Sequence, residues 1–327
     1  MSSSYGQLTP RMIESVQQNL EYTAYSKAKL LNWFKTIGNV TPIGKGMISH
    51  EFTRIEKMEP GEIVVDFHTL PDSAAKFTPQ TTDICRIGAK LRVPKTHLDA
   101  YASNKQINVG LQDLLNVQMA AFTTQIDGFI GYGDNMPSNR TGDTFIGQGK
   151  FKGLFNAPTA VSAGDGEDDN MSAAADYIST HNKFAKLLED ANHGAEKYFM
   201  ISDNQTYRKA AQGNHLLTTH AFNSEQAYML NHPEIAQWIQ GPNITNNDGD
   251  SRILLTNPIY AKGPTLEETS FNYRLLESYP VEVIPLYGGY LSGNVAYEFA
   301  VIWAGAFEMV NESAIKVSGG TASTLVF

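Results

Sequence analysis

The sequence predicts an α+β fold built along one long helix, and three observations carry that reading. Residues 109–130 place Leu111, Leu114, Leu115, Phe122, Ile126, Phe129 and Ile130 mostly at intervals of three, four and seven, a single apolar stripe of helical period. Residues 47–93 change to strand texture around the turn signature Glu59-Pro60-Gly61-Glu62. The last third carries strongly β-prone runs at residues 281–287, 297–303 and 307–310.

Taken in order, Thr9-Pro10 opens a first helix, since Thr can cap free amides and Pro at the first helical position loses no needed donor. Met12, Val16 and Leu20 follow at fourfold spacing, then Leu30, Leu31 and Phe34, with Gly38 as the stop. Gln17, Gln18, Asn19 and Glu21 leave this arm one-sided, and another subunit is a candidate for what it packs on. Strands are expected at residues 51–58, 63–67 and 83–94, the last two separated by a proline-bearing polar segment. Such a long two-stranded excursion is marginal alone in water and points to support from a neighbour. The helix at 109–130 would be roughly 30 Å long, enough to cross a domain. Gln118 interrupts its stripe, Thr123 and Thr124 fall largely off it, and Gly131 and Gly133 suit a bent exit.

Residues 163–170 read as an exposed acidic loop and 171–191 as a helix with Tyr177, Ile178, Phe184, Leu187 and Leu188 on one face. A buried strand is expected at 198–201, with Ser202-Asp203-Asn204 capping a short helix through Tyr207, Ala210 and Ala211. A glycine turn at Gly288-Gly289 follows the 281–287 strand.

Composition narrows the function classes. With 327 residues, 42% hydrophobic and 18% charged, the chain can bury a large core and is not a disordered one. A net charge of -9 and a pI near 5.4 argue against tight reading of duplex DNA, although a closed wall can contain nucleic acid without being sticky. Cys85 is the single cysteine, which excludes an intrachain disulfide framework and reads as a small hydrophobe in a strand. No secretory signal and no membrane-spanning run are apparent, so synthesis in a reducing cytoplasm is expected.

Catalytic motifs were sought and none is predicted. Gly147, Gly149 and Gly153 do not have dinucleotide or phosphate-loop spacing and read as turn residues. Residues 165–170 and 246–250 are oxygen-rich but do not match a twelve-residue calcium loop. His215, His220 and His232 form no zinc array, and Glu267-Glu268 and Asp168-Asp169 are adjacent pairs that would not face each other on a regular element. No catalytic, cofactor-binding or metal residue is therefore expected, and a soluble α+β enzyme is the weakest reading.

The order of pieces is informative. An arm and helix, an extended loop, a strand at 84–93, the long helix ending in Ile126-Asp127-x-Phe129-Ile130-x-Tyr132-Gly133, and then Gly153-Leu154-Phe155-Asn156 as a strand entry lead into an α+β subdomain and a strand-rich C-terminal part. Over residues 10–318 this resembles the major capsid proteins of tailed bacteriophages and the related encapsulin shell proteins. The resemblance implies an N-terminal arm (1–46), an extended β-hairpin loop (47–83), a peripheral domain around the spine helix (84–162 and 273–327) and an axial domain (163–272). It further implies self-assembly through pentamers and hexamers into an icosahedral shell around double-stranded DNA, with portal and scaffolding or decoration proteins as partners, no membrane, and residence in the virion. An encapsulin compartment with protein cargo is the alternative. Some relatives cleave off a scaffolding segment; with the first helix starting near residue 10, any scaffold here would be a separate protein. Some relatives also join a loop lysine to a neighbour's asparagine, but Lys57, Lys76 and Asn311 are too ordinary to mark such a link.

Overall fold

The computed structural model describes residues 10–57, 76–94, 107–133, 153–155, 177–191, 193–204, 207–208, 229–241, 253–265, 269–286 and 296–317. The N-terminal arm is two helices, not one. Helix α1 (Pro10–Lys27) starts on its proline and buries Leu20 and Ala24, with buried Ala28 just beyond its end at the same fourfold spacing. Ala28 is extended, and α2 (Lys29–Thr36) leaves in a new direction, burying Leu30, Leu31, Trp33 and Phe34. Gly38, at a φ of 70°, then closes α2: its amide donates to the Lys35 carbonyl and that of Asn39 to the Phe34 carbonyl. This pair of bonds is the left-handed glycine stop expected from the sequence.

The spine helix α3 (Ile107–Tyr132) runs for 26 residues, about 39 Å at ~1.5 Å per residue. Leu115, Met119, Phe122, Ile126, Phe129 and Ile130 form its buried stripe. The side chains of Leu111 and Leu114 lie outside the described residues. Thr123, expected off the stripe, is buried, and its hydroxyl is satisfied by donating to the Ala120 carbonyl at 2.8 Å. The arm packs on this helix within its own chain: Leu20 and Ala24 join the same core, and the Thr23 hydroxyl meets Asn116 Oδ1 at 3.3 Å.

The first sheet has the order β1-β10-β11-β4. Strands β1 (Val40–Pro42) and β4 (Cys85–Pro94) form its edges. Strands β10 (Tyr273–Leu286) and β11 (Ala296–Met309) form its centre. Both central strands are longer than their sequence signals. The runs at 297–303 and 307–310 are one strand, and β10 begins at Tyr273, not at Val281. Pro280 sits where the β10–β11 register shifts between Tyr279 and Glu282, the kind of irregularity that admits proline inside a sheet. Gly305 has its own reason: a Cβ there would strike the Trp303 ring and the Leu276 carbonyl. Trp303 is buried beneath the spine's Phe129, with its indole N–H donating to Glu277 Oε1 at 3.1 Å.

Strands β2 (Ser49–Lys57) and β3 (Lys76–Asp83) make a separate antiparallel ribbon. The sequence signalled β2 but not β3, whose polar run KFTPQTTD carries Pro79 opposite Thr53. A two-stranded ribbon has only edges, which is where proline is tolerated. The turn at 59–62 and the run at 63–67 lie outside the described residues.

The second sheet, in the order β12-β7-β5-β6, uses β5 (Tyr198–Asp203), β6 (Ile235–Gly241), β7 (Ile253–Thr256) and β12 (Ile315–Val317). Helix α4 (Tyr177–Asp190) covers it with Phe184 and Leu188. Ser202 lies within β5, buried, where its hydroxyl accepts the Trp238 indole N–H at 2.8 Å. The helix expected after it is present at Asn204 and Tyr207, so of the expected capping trio Ser202 belongs to the strand. The short ribbon of β8 (Ile259–Ala261) and β9 (Ser270–Phe271) leads back to the first sheet. One apolar core unites both sheets, with Ile201, Ile239, Leu254, Ile315 and Val317 joining the residues under the spine.

Three asparagines lock the crossing between the sheets. Asn272 Nδ2 donates to the Asn257 carbonyl at 2.9 Å, and Asn311 Nδ2 donates to Asn272 Oδ1 at 2.8 Å. The Asn272 carbonyl receives the amides of Val310 and Asn311. Asn272→Ala is expected to cost about 2–4 kcal/mol, because the buried Asn311 amide and the half-buried Asn257 carbonyl lose their bonds. Phe122→Ala is expected to cost about 3–5 kcal/mol through the cavity it leaves under the spine. Val117→Ala, on the exposed face of the same helix, should stay within about 0.5 kcal/mol. Urea denaturation of the three variants measures each value.

Candidate functional site

The sequence offered no catalytic constellation, so the candidate site is a surface: the parts of the fold able to meet other copies, and the joints that hold those parts in place. The first joint is Asp127. Helix α2 has no side-chain cap of its own. Its leading amides point instead at the Asp127 carboxylate from the last turns of the spine, with Lys29 N at 2.6 Å, Leu30 N at 3.0 Å and Leu31 N at 3.4 Å. These are the orphan donors of a helix start, and a carboxylate there also meets the positive end of the helix dipole. Asp127 is only 2% exposed. Burial pushes its pKa from 3.8 up to about 7, against the Lys29, Leu31 and Leu30 amides, which hold it down.

The second joint is the segment expected as a strand entry. Gly153-Leu154-Phe155 is instead a turn that caps the C-terminal end of the spine, one turn beyond Asp127. Leu154 N donates to the Ile130 carbonyl at 3.0 Å and Phe155 N to that of Gly131 at 2.8 Å, pairing carbonyls that a helix end leaves open. A Cβ at Gly153 would fall on the Gly133 amide and the Gly131 carbonyl, so glycine is required by close backbone approach. Gly133 itself has a φ of 63°. Asn156 lies outside the described residues.

The third joint covers a sheet edge. Gln118, the residue that interrupts the apolar stripe, accepts the Arg92 amide at Oε1 and donates from Nε2 to the Arg92 carbonyl, both at 3.0 Å. Its amide behaves as one residue of an extra strand along β4. Lys90 and Glu298, paired at 2.6 Å, further tie β4 to β11.

Among the described residues, the β2–β3 ribbon and the outer helical face carry the most exposed apolar side chains. Ile48 at the ribbon's root is 77% exposed and Phe77 in β3 is 59% exposed. Tyr22 on α1 and Val117 on the spine also face outward. The ribbon is fixed only near one side: Ile84 N donates to the Ile48 carbonyl at 2.8 Å, and Ile55 N to the Val310 carbonyl at 3.0 Å. A two-stranded ribbon with bare apolar side chains is suited to pairing with another chain.

Several residues weighed in the sequence lie outside the described set: Gly147, Gly149, the stretches 165–170 and 246–250, Glu267-Glu268, His215 and His220, and the side chains of Lys57 and Lys76. Cys85 is buried in the main core. Asn311 is buried and already committed to Asn272. His232 is brought against His181 and Glu234, a grouping with no signature in linear spacing. Among the described residues, no helix is long and apolar enough to cross a membrane.

Solved structures share this architecture over nearly the whole chain. A virus-like particle from Pyrococcus furiosus aligns at a TM-score of 0.53 and 13% identity, covering 93% of this chain and 97% of that one. The procapsid of satellite phage P4 aligns at 0.53 and 10% identity, covering 96% and 92%. The capsid of Myoviridae phage XM1 aligns at 0.51 and 14% identity, covering 88% and 91%. No family sequence model matches the chain, and no curated protein matches it by sequence. The fold is that of phage capsid and virus-like-particle shells, an α+β fold as the sequence predicted.

A pH effect follows from Asp127. A carboxyl whose pKa is raised on folding contributes stability that is complete below its unfolded value, here 3.8, and lost as pH rises through about 7. The denaturation midpoint is therefore expected to fall between about pH 5 and about pH 8, and to fall less in Asp127→Asn. Equal slopes in the two proteins would remove Asp127 as the source.

Proposed function

We propose that this chain is a major capsid protein, which self-assembles through pentamers and hexamers into an icosahedral shell enclosing a double-stranded DNA genome. The observation that carries this reading is the extent of the shared fold: these shell structures align over 85–96% of the chain. The exposed ribbon supplies the physical means, because Ile48 and Phe77 would be covered by a neighbouring subunit. Head-to-tail contacts of this kind close into rings when the rotation permits. The acidic balance suits containment without sequence-specific binding. The role is structural, not enzymatic.

In this reading the peripheral domain comprises residues 84–162 and 273–327, the axial domain 163–272, the extended loop 47–83 and the arm 1–46. Portal, scaffolding and decoration proteins would be its partners, the virion its destination and the host cytoplasm its place of synthesis. A compartment holding protein cargo is the second reading, because a shell of the same fold could enclose either kind of content.

Ile48→Asp and Phe77→Asp test the proposal. Both residues are exposed in the isolated subunit, so each variant should keep its denaturation midpoint to within about 0.5 kcal/mol. Each should reduce the yield of closed particles, counted by electron microscopy, about ten-fold or more, since buried aromatic and aliphatic anchors dominate interfaces. Parental yields from both variants would sink the ribbon assignment. A parent protein that stays monomeric under all assembly conditions would sink the shell reading itself. DNA or protein recovered inside the particles decides between genome and cargo.

A further inference from the structure

The second sheet carries a side-chain cluster that shell building does not use. His181 projects from α4, and the turn His232-Pro233-Glu234 that feeds β6 lies against it. The two imidazole rings have centroids 4.7 Å apart. One ring nitrogen of each histidine and one carboxylate oxygen of Glu234 all lie within 4.8 Å of one another.

The environment of His181 separates this cluster from ordinary ring packing. The residue is 1% exposed, held edge-on to Tyr198 at 6.5 Å, and its Nδ1 lies 3.3 Å from Asn182 Oδ1. Its Nε2 is buried with no hydrogen-bond partner among the described residues. A buried nitrogen left in that state carries an unrepaid desolvation cost, so such groups normally mark a missing ligand or a functional role.

We propose that His181, His232 and Glu234 form a binding site for a divalent transition-metal ion of the zinc class. Two imidazoles and one carboxylate favour zinc, cobalt or nickel over magnesium and calcium, which take oxygen ligands. Zinc binds imidazole nitrogen at about 2.0–2.1 Å and carboxylate oxygen at about 2.0–2.2 Å, so the three ligand atoms must draw together by an ångström or so. His232 and Glu234 can make that movement, since one is half-buried and the other exposed, while His181 is fixed by the core. Binding would replace the long 3.3 Å hydrogen bond that His232 Nδ1 accepts from the Glu234 amide. Water from the exposed side completes the coordination. The ion would pin α4 to the turn that starts β6, cross-linking the second sheet to its covering helix.

Titration calorimetry on the untagged full-length protein, stripped with EDTA, tests the site with zinc chloride and separately with magnesium chloride. One zinc per chain is expected, with no comparable magnesium binding, and zinc should raise the melting temperature. The same titration with cobalt chloride should give the visible absorption of a low-coordinate complex. His181→Ala removes the buried ligand and could weaken folding, so His232→Ala/Glu234→Gln, on the accessible turn, is the deciding variant. It should bind zinc at least about ten-fold more weakly and lose the thermal shift. Unchanged zinc stoichiometry and affinity in that double variant would overturn the proposal, as would a parent protein that binds zinc no better than magnesium. The readouts do not depend on shell assembly.

Discussion

The Asp127 carboxylate sits where the arm, the spine and the sheet meet, and the placement of all three follows from it. By receiving the first amides of α2, it allows the chain to break at Ala28 without leaving those donors buried and unpaired. The break lets α1 lie along the spine while α2 turns under the first sheet. Trp33 and Phe34 then reach Phe199, Tyr273 and Phe307 at ring distances of 5.4–6.1 Å, which is how both sheets come to share one core. An aliphatic residue at 127 would leave three amides without acceptors in the middle of that core.

The fold treats its exposed backbone in two ways. Along β4, the Gln118 amide stands in for a missing strand, and Lys90 and Arg92 flank it with charge directed at Glu298. Such devices discourage indiscriminate edge pairing. The β2–β3 ribbon has no comparable cover among the described residues, and it keeps Ile48 and Phe77 in the open. The contrast between closed and open edges directs any strand-to-strand association to the ribbon and away from β4.

Legibility in the sequence tracked how local each interaction is. The spine was readable because its apolar period repeats over many turns, and the Gly38 stop because a left-handed glycine is a one-residue requirement. The α1–α2 break was not readable: its cap lies 98 residues downstream of Lys29, and Asp127 viewed alone resembles an ordinary helix-end residue. β3 was hidden because a polar, proline-bearing ribbon strand lacks the alternation that a buried face imposes. β10 was truncated at Pro280, whose tolerance depends on a register shift opposite β11. Gly153 looked like turn chemistry and proved to be a contact between two backbone segments. The His181–His232–Glu234 grouping depends wholly on how α4 docks on the second sheet.

The sheet order has a consequence for when the subunit can exist at all. β1 pairs with β10, and β4 pairs with β11, so the early strands of the first sheet wait for partners made near the end of the chain. In the second sheet, β7 gains its outer neighbour only with β12. Contacts so distant in sequence slow folding, because loop closure must be met before the pairing rewards it. A nascent chain on the ribosome therefore lacks both finished sheets until β10, β11 and β12 have been made. Connectivity itself thus withholds a complete subunit surface from any chain that stops short of those strands.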